Sequence, residues 1–393
     1  MRRIAIVTGT RADYGLLKYL VAAVEADPRA ELALIVAGSH LSAAHGMTVD
    51  EIVADGIPIA ARVPLWSGDD SALAAAVDTA GAVAAYARVL DDLAPDVVVV
   101  LGDRLEAMAM ALAATVIGVP VAHIHGGELT EGAMDDALRH AITKLSYLHF
   151  TSTAEHRDRV IQLGEEPERV FDLGAPVLDA IDALDLLDAT QLRERFGVSV
   201  DQRTMLLTFH PASFDAGESS VALLRELLAA IDATPGTTVV VTGTNSDIGS
   251  DEIRAELSAF VASHENAAYV ESFGQLGYLS AMSLAGLVLG NSSSTVLEAP
   301  LLGVPSVVVG DRQRGRPLSA SVLHPAPTSS AIADAIARGF DPEFRSASAA
   351  SGSIFGTPGF AGRALEVLVG SDIPVHPRKR FHDLQPHERT THA

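Results

Sequence analysis

The stretch from Val97 to Phe150 reads VVVVLGDRLEAMAMALAATVIGVPVAHIHGGELTEGAMDDALRHAITKLSYLHF. Four valines and a leucine run into Gly102-Asp103-Arg104. That is the pattern of a strand covered on both faces, and such strands deliver polar groups to the carboxyl edge of a parallel sheet, where α/β proteins place their sites. A helical segment follows, then a second short strand, Val119 to Ile124, ending in His125-Gly126-Gly127-Glu128. The next helix opens with Asp135 and Asp136, so acidic positions from successive segments converge on one sheet edge.

Outside this stretch the same alternation continues. On the N-terminal side, strand Ile4 to Val7 leads through Gly9-Thr10-Arg11-Ala12-Asp13-Tyr14 into a helix expected from about Leu16 to Ala26. A turn with an arginine at a helix N-terminus is a ready anion site. Taken alone, pairing of Arg11 with a local carboxylate is the simpler reading. Strands at 32–36 and 57–63, a polar glycine-containing loop at 67–71 expected to be mobile, and an Ala-rich helix at 72–93 complete the first half. An acidic, Leu-rich stretch, Asp179 to Phe196, reads as a helical connection, after which strands and helices alternate again to Val309. The expected architecture is α/β with two doubly wound, Rossmann-like lobes and a cleft between their sheet edges. We place the N-terminal lobe at 1–175, the C-terminal lobe at 176–370 and a disordered tail at 371–393, since the last residues are rich in His, Arg and Pro without apolar periodicity.

Composition narrows the function. The 393 residues carry 28 Lys and Arg against 50 Asp and Glu, a formal net charge of −22, which argues against nucleic acid as a partner. There is no cysteine, so disulfides and thiolate chemistry are excluded. The longest apolar stretch, Ala107 to Ala122, contains Thr115, Gly118 and Pro120 and reads as a helix and a strand, not as a membrane span. The apolar run after Met1 is too short for a signal peptide, and we expect a soluble, cytoplasmic protein without a membrane partner. No HExxH, Walker A loop, GxSxG elbow or G-x-G-x-x-G fingerprint is present, so no metal and no cofactor is expected.

Two further groups bear on chemistry. Gly290-Asn291-Ser292-Ser293-Ser294 precedes a helix expected from Thr295 to Leu302, a nest suited to a diphosphate, with Glu298 placed to accept from ligand hydroxyls; helix capping explains the same residues equally well. Asp311-Arg312-Gln313-Arg314-Gly315-Arg316 then sets three arginines past a strand end, a pattern suited to bidentate phosphate contacts. In the helix beginning at Asp135, Asp135 and Arg139 stand at i and i+4, as do Asp136 and His140, and ion pairing along the helix is the default reading.

Taken in order, the blocks at Gly9 to Tyr14, Gly102 to Arg104, His123 to Glu128, Asp135 to Lys144 and Gly290 to Ser293 resemble the hydrolysing UDP-N-acetylglucosamine 2-epimerases, and the likeness runs from about Ile4 to Pro317. The resemblance implies a GT-B-like fold with the nucleotide sugar in the interdomain cleft. It implies elimination of UDP from UDP-N-acetylglucosamine to a 2-acetamidoglucal, then hydration to N-acetylmannosamine, the entry to sialic acid synthesis. Close relatives process a 2,4-diacetamido-2,4,6-trideoxy sugar nucleotide. The C2 proton is weakly acidic, so such chemistry needs a held base and a stabilised diphosphate. Asp103, Glu128, Asp135 and Asp136 are the candidate carboxylates, and crowding is expected to raise the pKa of one of them. By position Asp103 and Asp135 resemble the acid/base pair and His210 the histidine near the diphosphate. Arg11, Asp13, Arg104, Arg139, Asn291, Ser292, Ser293, Glu298 and Arg312 are the expected substrate contacts. His125 stands where some members carry a catalytic glutamate, which leaves Glu128 or His125 as the base, and Ile354 to Gly359 departs from the family's later loop. The alternatives are a non-hydrolysing 2-epimerase, a GT-B glycosyltransferase and a silent nucleotide-sugar binder; related epimerases are often assemblies, and a homo-oligomer is expected.

Overall fold

The computed structural model describes residues 1–42, 47–65, 71–130, 134–211, 217–244 and 250–384. The loop expected to be mobile falls almost wholly at 66–70, outside the described residues. The chain divides into two compact units, one of Met1–Ala183 with Phe355–Ala393, the other of Leu184–Ile354.

The first unit holds β1 (Arg2–Thr8), α1 (Arg11–Ala26), β2 (Ala30–Ala37), α2 (Val49–Ala54), β3 (Ile59–Val63), α3 (Ala72–Leu93), β4 (Val97–Leu101), α4 (Leu105–Ile117), β5 (Val121–Ile124), α5 (Met134–Leu145), β6 (Leu148–Thr151), α6 (Ala154–Gln162), β7 (Val170–Asp172) and α7 (Val177–Asp182). Its seven strands lie in the order β3-β2-β1-β4-β5-β6-β7, all parallel. Side chains alternate across a strand, and β1 shows the consequence. Ile4 and Ile6 enter one core with Leu17, Leu20 and Val24 of α1, whereas Ala5 and Val7 enter the opposite core with Met110 of α4 and Tyr86 of α3. Every residue of β4 is buried, as its unbroken apolar run predicts. Helix α1 starts at Arg11, earlier than expected, because the Thr10 hydroxyl caps it by accepting from the Asp13 amide at 3.2 Å. Over Leu73–Leu93, α3 has the length and apolar composition of a membrane span, and it packs Ala82, Tyr86 and Leu90 into the second core.

The second unit holds α8 (Ala189–Phe196), β8 (Thr204–Thr208), α9 (Gly217–Asp232), β9 (Thr238–Thr242), α10 (Ser250–Ser263), β10 (Ala267–Val270), α11 (Gly274–Leu284), β11 (Leu287–Gly290), α12 (Glu298–Leu301), β12 (Ser306–Val308), β13 (Val322–Leu323), α13 (Ser329–Gly339) and α14 (Pro342–Ser351). Its six parallel strands run β10-β9-β8-β11-β12-β13. The helix expected over 295–302 is only the short α12. A 3-10 turn at Ser293–Thr295 precedes it, because Ser292 caps that turn through the Ser294 amide.

Two boundaries differ from expectation. Helix α7 belongs to the first unit, and so does the last helix, α15 (Phe360–Gly370), which had been assigned to the second. Phe360, Ala364, Leu365 and Leu368 complete the α1 side of the first core. Asp179 of α7 fastens it: one carboxylate accepts from the amides of Gly359, Phe360 and Ala361 at 2.6, 3.0 and 2.7 Å, capping α15 from 180 residues away in sequence. The tail expected to be disordered from 371 is ordered against the first unit as far as Leu384; 385–393 lie outside the described residues.

Replacing the cap, Asp179→Ala, leaves three helix N-terminal amides without their charged acceptor. A loss of about 2 kcal/mol follows from the cost of losing a cap and charge-assisted bonds, and it should appear as a lower thermal midpoint in calorimetry with the secondary structure by circular dichroism unchanged.

Candidate active site

In the first unit the strand order reverses between β1 and β4, and the loops leaving these strands and their neighbours β5 and β6 carry the polar groups. Arg139, on α5, organises them. Its side chain is 6% exposed, a costly position for a guanidinium unless its charge is answered; Nε has no partner among the described residues, and the two terminal nitrogens carry the bonds. Nη1 donates to the Glu128 carbonyl at 3.0 Å, and Nη2 donates to the Thr130 hydroxyl at 3.1 Å and to the Asp103 carboxylate. Asp136 lies 3.7 Å from Nη1 and accepts from the Thr130 amide at 2.8 Å. The expected pairing of Asp135 with Arg139 therefore gives way to Asp103: the arginine turns inward, and Asp135 is exposed on the first turn of α5. Asp136 and His140 do pair, at 3.6 Å.

Beside this lies a carboxylate–imidazole pair. His125 Nδ1 and Glu128 Oε1 are in direct hydrogen-bond contact, and Glu128 also accepts from the Ser152 hydroxyl at 3.0 Å. Ser152 spends its one proton on Glu128, so its oxygen accepts from His156 Nδ1 at 2.9 Å. Burial works against the charge on Glu128, but the neighbouring His125, His156 and Arg139 outweigh it and hold its pKa below the ordinary range. The expectation that crowding raises one of the four candidate carboxylates fails at Glu128, since imidazole and guanidinium groups, not carboxylates, surround it. His125 Nε2 is buried and has no hydrogen-bond partner among the described residues. The backbone here is left-handed, φ 67°, a conformation that a non-glycine residue adopts at a cost.

Two residues that sequence reasoning missed, His123 and Glu106, are buried at the same sheet edge. His123 is fully buried, and desolvation pushes its pKa down to about 3, so its ring is neutral. Its Nε2 faces the Gly102 carbonyl at 2.7 Å and must donate, leaving Nδ1 to accept from Thr143 at 3.2 Å. Glu106, two residues beyond Arg104, is 6% exposed; burial chiefly, with the nearby Asp13 adding, raises its pKa. Asp13 is also raised by burial, against the pull of Arg104, and accepts from the Gly9 amide at 3.3 Å. Gly9, Asp13, Arg104 and Glu106 line one small recess at the switch point. Arg11 stays outside it, largely exposed and paired with Glu51 at 2.9 Å. The signal for Glu106 was a lone acid in an apolar helix.

The second unit answers with amides and hydroxyls. At its switch point, between β8 and β11, Asn291 Oδ1 accepts from the His210 amide at 2.8 Å, and Nδ2 donates to the His210 carbonyl at 2.7 Å. The Asn291 side chain thus fixes the His210 loop. Its own carbonyl accepts from Arg312 Nη1 at 3.3 Å and Gln313 Nε2 at 3.0 Å. His210 Nδ1 lies 3.3 Å from the Thr244 hydroxyl. Tyr278 joins Ser294 at 2.7 Å and Thr208 at 2.9 Å, and Ser292 accepts from the Ser294 hydroxyl at 3.0 Å. Ser293 opens the turn that follows. Glu298 is half-buried, and desolvation of its carboxyl raises its pKa against the pull of Arg316; its Oε2 has no partner among the described residues. Among the described residues no group of three or more His, Asp or Glu is placed to hold a metal ion.

Two Rossmann-like units with a carboxylate–imidazole edge in one and a hydroxyl–amide edge in the other define a GT-B-like α/β protein. Residues 22–369 match the family described as UDP-N-acetylglucosamine 2-epimerase, and the chain belongs to that family. It is 33% identical over 316 residues to the GDP/UDP-N,N'-diacetylbacillosamine 2-epimerase (hydrolyzing) of Campylobacter jejuni, covering 80% of this chain and 82% of that protein. It is 32% identical over 336 residues to a UDP-N-acetylglucosamine 2-epimerase of Neisseria meningitidis, covering 86% and 87%. In fold it is similar to the N. meningitidis UDP-GlcNAc 2-epimerase solved with UDP-GlcNAc bound, with a TM-score of 0.78, 19% identity, and coverage of 94% of this chain and 100% of that one.

The Glu128 charge makes a test by acid. A carboxylate whose folded pKa is depressed stabilises the fold above its unfolded value, about 4.3, and that contribution is lost as the pH falls through the folded value. The gap in urea midpoint between the wild type and Glu128→Gln is expected to be widest at neutral pH and to narrow on acidification below about pH 4. A gap that does not change with pH means that Glu128 is not ionised in the fold.

Proposed function

We propose that the chain is a hydrolysing 2-epimerase of a UDP-linked 2-acetamido sugar, with UDP-N-acetylglucosamine as substrate. The observation that carries this is the bare Nε2 of His125. Glu128 accepts from Nδ1–H, so Nε2 is the ring nitrogen left to exchange a proton with the substrate, the position a general base requires. His125 Nε2 takes the C2 proton, the C–H pair forms the C1=C2 bond, and the C1–O bond breaks with its electrons going to the β-phosphate. UDP and a 2-acetamidoglucal result. Water then adds hydroxyl to C1 and a proton to C2 from the opposite face, giving the 2-epimeric free sugar.

The carboxyls whose pKa is raised, Asp13 and Glu106, are suited to donate that proton, and Asp103, fixed by Arg139, is suited to orient the water. In this reading Asp135 and Asp136 face the sugar from α5. In the second unit, Ser292, Ser293, His210 and Arg312 hold the diphosphate, with Asn291 shaping that loop. The Glu298 oxygen that has no partner among the described residues accepts from the ribose hydroxyls. A second substrate reading, the 2,4-diacetamido-2,4,6-trideoxy sugar nucleotide, is favoured by the hydrolysing diacetylbacillosamine epimerases of C. jejuni and Legionella pneumophila, each 33% identical to this chain.

Proton NMR of the reaction in D2O tests both parts. Free UDP with N-acetylmannosamine deuterated at C2 is expected. UDP-N-acetylmannosamine would overturn the hydrolytic assignment, and turnover of the diacetamido substrate alone would select the second reading. His125→Gln should lower kcat by roughly a hundredfold or more, the usual worth of a general base, with UDP affinity kept. Glu298→Ala should do the reverse, weakening UDP about tenfold, or 1.4 kcal/mol, in calorimetric titration.

A further inference from the structure

The C-terminal strap from Val375 to Leu384 lies across the C-terminal ends of three successive helices. The His376 amide donates to the Gly118 carbonyl at 3.1 Å at the end of α4, and the His382 amide donates to the Gly164 carbonyl at 3.0 Å just past α6. Both glycines are left-handed, and the His376 and Phe381 side chains occupy the space that a Cβ would fill there, so the strap fits its track closely. Leu384 packs beside Val160, Ile161 and Val170.

Between these two anchors Lys379 reaches the end of α5. Its ammonium donates to the carbonyls of Lys144 and Ser146 at 2.8 and 2.6 Å and meets the Glu165 carboxylate at 2.5 Å. These oxygens take up the three donors, with the Thr143 carbonyl a fourth at 3.4 Å, and a cation sits where the helix dipole is negative. Glu165 is fully buried and also holds Lys144 at 2.6 Å and His149 at 3.0 Å. Burial opposes its charge, but the bonds from His149, Lys144 and Lys379 prevail and hold its pKa at about 2. Lys144 in turn lies over the Phe381 ring, 5.0 Å from its centroid, and donates to the Leu163 carbonyl at 3.0 Å. The strap, α5 and α6 are thereby locked through one buried carboxylate.

We propose that Lys379 is a positioning residue, the pin by which the strap sets α5 so that Arg139 holds Asp103 and Thr143 holds His123. The residues pinned at one end of α5 and those used at the other share one rigid helix, and Thr143, whose carbonyl lies 3.4 Å from the Lys379 ammonium, carries the hydroxyl that His123 accepts. For its kinetic readout this inference rests on the proposed epimerase activity; its structural readout stands without it.

The test uses the full chain with Lys379→Met, followed by hydrogen exchange and by UDP release. Exchange of the α5 amides should quicken about tenfold while β4 and β8 stay protected, because only a local opening is released. A misplaced Arg139 should lower kcat about tenfold with KM within about twofold, since the loss falls on geometry at the reacting centre. Phe381→Ala, which removes an exposed ring and leaves the ion cluster whole, should move both readouts the same way by less, and it decides the matter if Lys379→Met does not fold. Wild-type protection of α5 in a folded Lys379→Met protein overturns the proposal, as does a loss of kcat with α5 protection intact. If the wild type releases no UDP, the epimerase reading fails, and the exchange data still decide whether the strap pins α5.

Discussion

The first unit depends on one buried cation. Arg139 is buried in a chain of net charge −22, and a guanidinium out of water must find acceptors. Its desolvation is offset only because two loops supply acceptors together: the Asp103 carboxylate after β4, and the Glu128 carbonyl and Thr130 hydroxyl after β5. Those loops leave adjacent strands in register, Leu101 against Ile124, so the arginine bridges neighbours and needs no distortion of the sheet. Removing it would strand a partly buried carboxylate and free the segment that carries Glu128. The same contact that completes the fold therefore sets where Asp103 and the Glu128 segment lie.

The two switch points solve different problems with different chemistry. In the first unit, Asp13 and Glu106 crowd a small recess and burial raises both, while Glu128 is lowered by the imidazole and guanidinium groups around it. Carboxyl groups of one type are thus driven apart in proton affinity by their surroundings, the arrangement that acid and base steps call for. In the second unit the polar groups are hydroxyls, an amide and an imidazole, with Arg312 reaching the same Asn291 carbonyl as Gln313. Neutral donors at a parallel-sheet edge suit a ligand that brings its own negative charge.

Much of this was legible in the sequence, for a physical reason. A parallel strand covered on both faces must be apolar throughout and must end where polar residues begin, so Val97 to Leu101 and Val121 to Ile124 marked both the sheet and the edge where Asp103 and His125 stand. What was hidden depends on contacts distant in sequence. Helix α15 has an apolar face that either unit could bury by pattern alone; the choice is made by α1 and by Asp179. Helical spacing offered Asp135 to Arg139, but spacing does not weigh burial, and Asp103 wins because it lies on the inner side. The tail lacked periodicity because it is held by backbone bonds, ring contacts and one lysine, none of which repeats along the chain.

The His-Ile-His segment shows how a single backbone angle separates two roles. Residues two apart in a strand face the same side, so His123 and His125 would share one environment if β5 continued in regular form. The strand ends at Ile124, and His125 takes a left-handed φ of 67°. Holding a non-glycine residue there costs on the order of 1–2 kcal/mol. The hydrogen bond from the His125 amide to Phe150 and the contact of its ring with Glu128 offset that cost. His123 stays with the sheet, neutral and spent on the Gly102 carbonyl and Thr143. His125 is turned away from that network, spends one nitrogen on Glu128 and leaves the other bare. The left-handed turn is therefore what separates a repeated residue into one imidazole spent within the sheet and one whose Nε2 has no partner among the described residues.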